Sequence, residues 1–238
     1  RTLATLGVYP LLNSQGEDCW NPSRTTVDID GNVWVGCRGT SSYIDREEVP
    51  NKLVPQEVDY KVVKLSKDDG RVLLSLRVGH APRALALDAR NHLWVGCSVD
   101  DTVWEIDGDS GQCYRGEAAD CAAPAIAVAD FPYGMAVDQR GHLWVVHNEI
   151  PTNSPDELTE IDTLTGDILD LYGPYLRGGC NDLYGIAIDQ LNDVWLGGYG
   201  CDDIVKVKGV AGEYIGDGHV YAAGDMIGAY DAGGERTR

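Results

Sequence analysis

An Asp followed six residues later by a Trp, across a turn, recurs four times in this chain. The copies are "VDIDGNVWVG" (Asp28, Trp34), "ALDARNHLWVG" (Asp88, Trp94), "AVDQRGHLWVV" (Asp138, Trp144) and "AIDQLNDVWLG" (Asp189, Trp195). Each has a second half, "VVKLSKDDG", "VWEIDGDSG", "LTEIDTLTG" or "IVKVKGVAG", ending at Gly70, Gly111, Gly166 or Gly212. The tryptophans stand 60, 50 and 51 residues apart. A period of about 50 belongs to a blade-like array rather than a helical solenoid.

The local pattern supplies the reason. "ALAL", "HLWVG", "TVWEI" and "DILDL" are short runs rich in β-branched, Leu and aromatic residues, separated by Gly, Asp and Asn clusters, which is how strands joined by tight turns read. No segment carries a helical apolar stripe over a dozen residues. The fold expected is all-β: a β-propeller of four-stranded antiparallel blades. Four repeats are clear, over roughly residues 20–78, 79–128, 129–176 and 177–223 of a single domain spanning 1–238. Radial repetition protects the strand edges, and a Trp on each second strand has the bulk to fill the wedge between neighbouring blades.

Composition bounds the function. With 19 Lys and Arg against 38 Asp and Glu, the net charge of −19 opposes nucleic acid, whose affinity comes from neutralising phosphates with basic side chains. No run of about 18 apolar residues is present, so no membrane span is expected. No signal peptide is visible, and Arg1 is not an initiator Met, which fits a processed or trimmed N-terminus. No G-x-S-x-G elbow or paired Cys and His motif supports nucleophilic catalysis.

The phrase "PYGMAVDQRGHLWVV…LTEIDTLTGDI" resembles the repeat of the streptogramin-lyase-like and NHL-type propellers, over about residues 20–217. The resemblance implies a propeller fold; for function it implies a range from lyases and lactonases to plain binding scaffolds. Streptogramin lyases use His and Glu side chains with a divalent ion on one face. Of the five His here, His92 and His142 fall in the repeat turn and read as solvent-facing. Only His147, in "VVHNE", ends a second strand, so His147 and Glu149 are the catalytic pair if the chain is an enzyme.

The opening "ATLGVYPLLNSQGEDC" is similar to "DILDLYGPYLRGGC", so the chain begins like the outermost strand of a further blade. The terminal "GGERTR" is similar to "NPSRTT", the run-in to the first repeat. Either the ring closes with a degenerate last blade or the chain is part of a longer propeller of about six blades, and the native polypeptide is expected to extend beyond Arg238, or beyond Arg1, to close the ring.

Within a blade the first strand leaves one face and the second returns to it. On that shared face the Trp-to-Gly distance varies, at 36, 17, 22 and 17 residues, and the long loops hold "GTSSYIDREEVPNKLVPQEVD" and "NEIPTNSPDE". Long loops on a rigid scaffold are where binding concentrates. Arg83, Tyr133 and Tyr184 share the position five before the repeat Asp and should ring the channel mouth, with Trp20 and Asn148 nearby. Such a set suits a sugar, a peptide or a small anion. Glu149, Asp101, Asn181 and Asp203 are the oxygen ligands for the alternative occupant, Ca²⁺.

Because strands one and two form a hairpin, Cys19 should reach Cys37 and Cys180 should reach Cys201. Cys113–Cys121 would close a short loop, leaving Cys97 odd. Such a framework belongs to an oxidising compartment, hence an extracellular or cell-surface protein. The primary reading is a propeller module that binds a protein or glycan partner through loops on one face. The alternative is a metal-dependent lyase or lactonase.

Overall fold

The computed structural model describes residues 7–9, 19, 21–39, 60–148, 157–175, 182–199 and 203–231. Among them there is no helix, and nearly all the strands fall into four sheets arranged as successive blades. Blade 1 runs β1 (Pro22–Val27), β2 (Val33–Cys37), β3 (Lys61–Leu65), β4 (Val72–Arg77). Blade 2 runs β5 (Pro82–Leu87), β6 (His92–Cys97), β7 (Thr102–Asp107), β8 (Cys113–Arg115), with β9 (Ile126–Ala127) also paired to β7. Blade 3 runs β10 (Pro132–Val137), β11 (His142–His147), β12 (Leu158–Asp162), β13 (Ile168–Tyr172). All pairings within the blades are antiparallel.

Blade 4 departs at its outer edge. Its first three strands are β14 (Asp182–Ile188), β15 (Val194–Tyr199) and β16 (Asp203–Val207), but the fourth is supplied late, by β19 (Met226–Asp231). A small hairpin, β17 (Gly212–Glu213) with β18 (Val220–Tyr221), fills the interval. The cause lies at the turn. Gly70, Gly111 and Gly166 take left-handed φ of 70°, 78° and 76° and close the turn between third and fourth strands, whereas Gly212 has φ 150° and starts the extra hairpin. The residues after Gly212 thus complete the fourth blade. Of the opening segment, residues 7–9 form no strand and most of the rest lies outside the described residues.

The repeat Trp packs each blade on the next. Trp34 joins Leu85, Leu93 and Val95 of blade 2; Trp94 joins Met135, Leu143 and Val145 of blade 3; Trp144 joins Leu183, Val194 and Leu196 of blade 4. All three are fully buried. The close approach demands small residues beside them: a Cβ on Gly36 would lie 2.9 Å from the Pro82 carbonyl oxygen, and one on Gly96 would lie 3.0 Å from Ala84 Cβ and 3.2 Å from Pro132 Cβ.

Four equivalent buried tryptophans were expected, and the fourth differs. Trp195 is only half-buried, covered by Tyr230 at 5.5 Å and by the Lys206 ammonium at 4.9 Å. No blade follows it among the described residues. Open space therefore surrounds a Cβ at Gly185 or Gly197, the counterparts of Ala84 and Gly96.

Candidate functional site

The first-to-second-strand turns show how the repeat Asp works. In blade 2 the Asp88 carboxylate accepts the backbone N–H groups of Arg90 and His92 at 2.9 and 3.0 Å, and the indole N–H of Trp94 at 3.2 Å. The same indole bond joins Trp144 to Asp138 at 3.2 Å and Trp195 to Asp189 at 3.0 Å. In blades 2, 3 and 4 one carboxylate thus ties the turn to the wedge residue; in blade 1 Asp28 caps its turn and meets Lys64 instead, and the Trp34 indole N–H has no hydrogen-bond partner.

His92 and His142 do not face solvent as the turn position implied. Their Nδ1 atoms lie 2.7 Å from Glu105 and 2.6 Å from Glu160, carboxylates that sit opposite Trp94 and Trp144 on the third strand. Each set of Asp, His and Glu brings one donor atom apiece within 4.8 Å of the others, a grouping that could hold a metal ion. In both, a guanidinium already does the cation's work. Arg90 Nη2 lies 2.6 Å from Asp88 and 3.0 Å from Glu105; Arg140 Nη2 lies 2.6 Å from Asp138 and 2.9 Å from Glu160. A metal would have to displace the arginine. These clusters stand at the end of the blades opposite the expected binding face.

That binding face is set by the pairs Pro22↔Cys37, Pro82↔Cys97 and Pro132↔His147, where first strands begin and second strands end. The structure brings Arg83, Tyr133 and Tyr184 together there. Arg83 Nη1 donates to the Tyr133 hydroxyl at 2.6 Å, and the Tyr133 and Tyr184 rings lie 4.6 Å apart. Arg24 completes the group, its guanidinium 5.1 Å from the Tyr133 ring and 5.0 Å from the Tyr184 ring. A cavity of about 240 Å³ opens between the four inner strands, lined by Arg24, Tyr133 and Tyr184 with Leu85, Met135 and Ile186.

Arg24 was missed from the sequence, although a signal exists. It stands four before the repeat Asp, where the other blades carry Ala84, Gly134 and Gly185, and so is the only large residue at that position.

Electrostatics at the mouth are positive. The hydrogen bond from Tyr133, and then the Arg24 guanidinium, hold the Tyr184 phenol below the usual tyrosine range. Burial pushes the Tyr133 phenol up, against the pull of Arg83. Burial also lowers the Arg83 guanidinium, with Arg38 adding like-charge repulsion.

The other expected residues are placed as follows. His147 is buried, with Nδ1 2.9 Å from the Asp130 carbonyl and Nε2 2.7 Å from Thr159 Oγ1. Both ring nitrogens are engaged, which leaves no lone pair for a metal or a proton transfer. Asn148 is buried and donates from Nδ2 to the Leu183 carbonyl at 3.1 Å. Asp101 accepts the Phe131 N–H at 2.8 Å, and Asp203 is a half-buried residue paired with Asp231 across the blade 4 edge. Among the described residues, Asp101 and Asp203 belong to neither of the groupings that could hold a metal ion. Trp20, Glu149 and Asn181 lie outside the described residues.

Two disulfides, Cys19–Cys37 and Cys113–Cys121, are present, and Cys97 is a buried free thiol. They fit an oxidising environment. Cys180 and Cys201 lie outside the described residues. Among the described residues no helix is long and apolar enough to cross a membrane.

No protein-family model and no curated protein sequence matches this chain. Solved structures do. A streptogramin B lyase matches with a TM-score of 0.58 at 19% identity, over 90% of this chain and 56% of that one. Virginiamycin B lyase from Staphylococcus aureus, in complex with quinupristin, matches with a TM-score of 0.56 at 15% identity, over 89% and 56%. A gluconolactonase from Xanthomonas campestris matches with a TM-score of 0.51 at 18% identity, over 82% and 58%. The chain spans little more than half the length of these proteins. Its fold is that of a streptogramin-lyase-like β-propeller.

Proposed function

We propose that this chain is an extracellular recognition module that binds a protein or glycan partner at the channel mouth. One observation carries the reading: three of the four inner strands, β1, β10 and β14, each deliver a large polar side chain, Arg24, Tyr133 and Tyr184, to a single cavity. Tyr and Arg clustered around a concavity combine large contact area with directional hydrogen bonding, the make-up of binding hot spots. The two disulfides support the extracellular assignment.

The lyase or lactonase alternative draws on the fold likeness. Against it stands His147, whose burial and two hydrogen bonds equip it for packing rather than proton transfer.

The test pairs binding with turnover. The purified chain is probed on glycan and peptide arrays and assayed for cleavage of quinupristin and gluconolactone with added Mg²⁺, Ca²⁺ or Mn²⁺. The expected result is binding that falls by at least about tenfold in Tyr133→Ala/Tyr184→Ala, with circular dichroism unchanged and turnover at background. Metal-dependent turnover abolished by chelation would replace this reading with the enzymatic one.

A further inference from the structure

We infer that the channel mouth is an organic-anion site, taking a carboxylate carried on a short apolar or aromatic stem. This rests on the recognition reading above and names its ligand class.

The argument starts from where the cations find their counter-charges. Lys64 pairs with Asp28 at 2.7 Å, Lys206 with Asp189 and Asp193 at 3.0 and 3.1 Å, and Lys208 with Asp193 at 3.1 Å. Arg90, Arg115 and Arg140 all meet carboxylates. Arg24, Arg38 and Arg83 have no carboxylate partner among the described residues. Arg38 donates to the Asn21 side chain at 2.9 Å, Arg83 to a phenol, and Arg24 lies against two rings. In a chain with 38 acidic residues and 19 basic ones, these three neighbouring cations have no acid beside them among the described residues.

Two atoms sharpen the point. The Nε groups of Arg38 and Arg83 are buried with no hydrogen-bond partner, and Arg83 itself is only 5% exposed. An uncompensated buried charge is strongly unfavourable, and an unused buried donor adds to that cost. Of the three arginines it is Arg24 that lines the cavity, so a carboxylate bound there would meet Arg24, whose fork its two oxygens match, in the field of Arg83, which lies 5.0 Å from the same Tyr133 ring. The hydrogen bond and charges that hold the Tyr184 phenol down act in the same sense.

The rest of the cavity sets the stem. Leu85, Met135 and Ile186 line it with apolar surface, and its volume of about 240 Å³ lies below the roughly 300–1,000 Å³ of drug-sized pockets. A ring or short chain fits behind an anionic head. A free small acid and the C-terminus of a peptide ending in an aromatic residue share this chemistry.

Calorimetric titration of the 238-residue chain with benzoate, benzamide, inorganic phosphate, and a Phe-terminated tripeptide as acid and as amide tests the inference. Benzoate should bind saturably and at least about tenfold more tightly than benzamide, and Arg24→Gln should remove about tenfold of the benzoate affinity while leaving benzamide unchanged. Tyr184→Phe, which keeps the ring, reports whether the fold tolerates change at the site. A free-acid peptide that binds more tightly than benzoate, with its amide inert, identifies a chain terminus as the occupant. Equal binding of benzoate and benzamide, or of benzoate and phosphate, overturns the proposal, as does an Arg24→Gln protein that binds benzoate normally. An array ligand lost in Tyr133→Ala/Tyr184→Ala yet indifferent to Arg24→Gln would overturn the anion class and leave the recognition reading standing.

Discussion

Lys64 and Glu105 occupy the same place in successive blades and carry opposite charge. Each sits directly across the ladder from its blade's tryptophan, Lys64 from Trp34 and Glu105 from Trp94. The turn below is matched to each. Lys64 meets the Asp28 carboxylate and the Gly108 carbonyl, whereas Glu105 meets Arg90, His92 and Arg115. Blade 3 repeats the Glu pattern with Glu160, Arg140 and His142, and blade 4 repeats the Lys pattern with Lys206, Asp189 and Asp193. The repeat therefore has two charge solutions for one buried position, each neutralised locally.

Exchanging the charge should expose this coupling. Glu105→Lys places an ammonium beside Arg90 and Arg115 in a buried setting, and removing one partner of a buried pair costs about 3–5 kcal/mol. Chemical denaturation should report a loss of that order. Adding Arg90→Ser and Arg115→Ser should recover part of it, since residues sharing a network are not additive. A purely additive triple variant would refute the coupling.

Small residues on the second strands separate the blades packed against a following blade from the fourth, which has none among the described residues. Gly96→Ala puts a methyl within 3.0 Å of Ala84 Cβ and 3.2 Å of Pro132 Cβ and should cost about 1–3 kcal/mol. Gly197→Ala meets nothing within 4 Å and should be neutral or stabilising by less than about 1 kcal/mol. Paired urea unfolding curves decide this; equal losses at both sites would contradict the packing described.

The tryptophans should divide in the same way. Trp94→Ala removes a fully buried wedge and should cost about 3–5 kcal/mol. Trp195 is half-buried, so Trp195→Ala should cost roughly 1–2 kcal/mol. Thermal and denaturant unfolding of the two variants side by side gives the comparison.

His147 predicts a pH dependence. Burial lowers its pKa from 6.5 to about 4. The folded state therefore refuses a proton that the unfolded chain accepts, and stability falls as pH drops from 6.5 towards 4. A shift of this size is worth about 3 kcal/mol across that window. His147→Gln should unfold more easily at pH 7 and show a flatter stability profile between pH 6.5 and 4. A slope identical to that of the unaltered protein would show that His147 does not titrate in this way.

Cysteine chemistry offers a direct check. Peptide mapping without reduction should recover Cys19 linked to Cys37 and Cys113 linked to Cys121. Cys97, whose thiol burial pushes well above its ordinary range, should alkylate only after unfolding. The Cys19–Cys37 bond spans 18 residues, and a loop of that length stabilises by about 3 kcal/mol. A Cys19→Ser/Cys37→Ser protein should lose about that much.

What the sequence determined by itself was the repeating unit. The Asp-to-Trp spacing, the alternation of strands and turns, and the glycines at Gly70, Gly111 and Gly166 are local constraints. A carboxylate can cap the turn it belongs to, and a left-handed turn needs its glycine wherever the blade sits. The shared position of Arg83, Tyr133 and Tyr184 was legible for the same reason, because equivalent residues of a repeat arrive at one end of the channel. Tertiary structure decided whatever depends on a neighbouring blade or on a partner distant in sequence. It half-exposed Trp195, took the fourth blade's outer strand from Met226–Asp231, drew His92 and His142 inward to Glu105 and Glu160, and enclosed His147. It also set Arg24 between two tyrosines from blades 3 and 4, a contact across the channel between residues more than 100 positions apart. Repetition encodes each blade in its own residues, whereas burial and charge at the interfaces and the channel arise only when the blades are brought together.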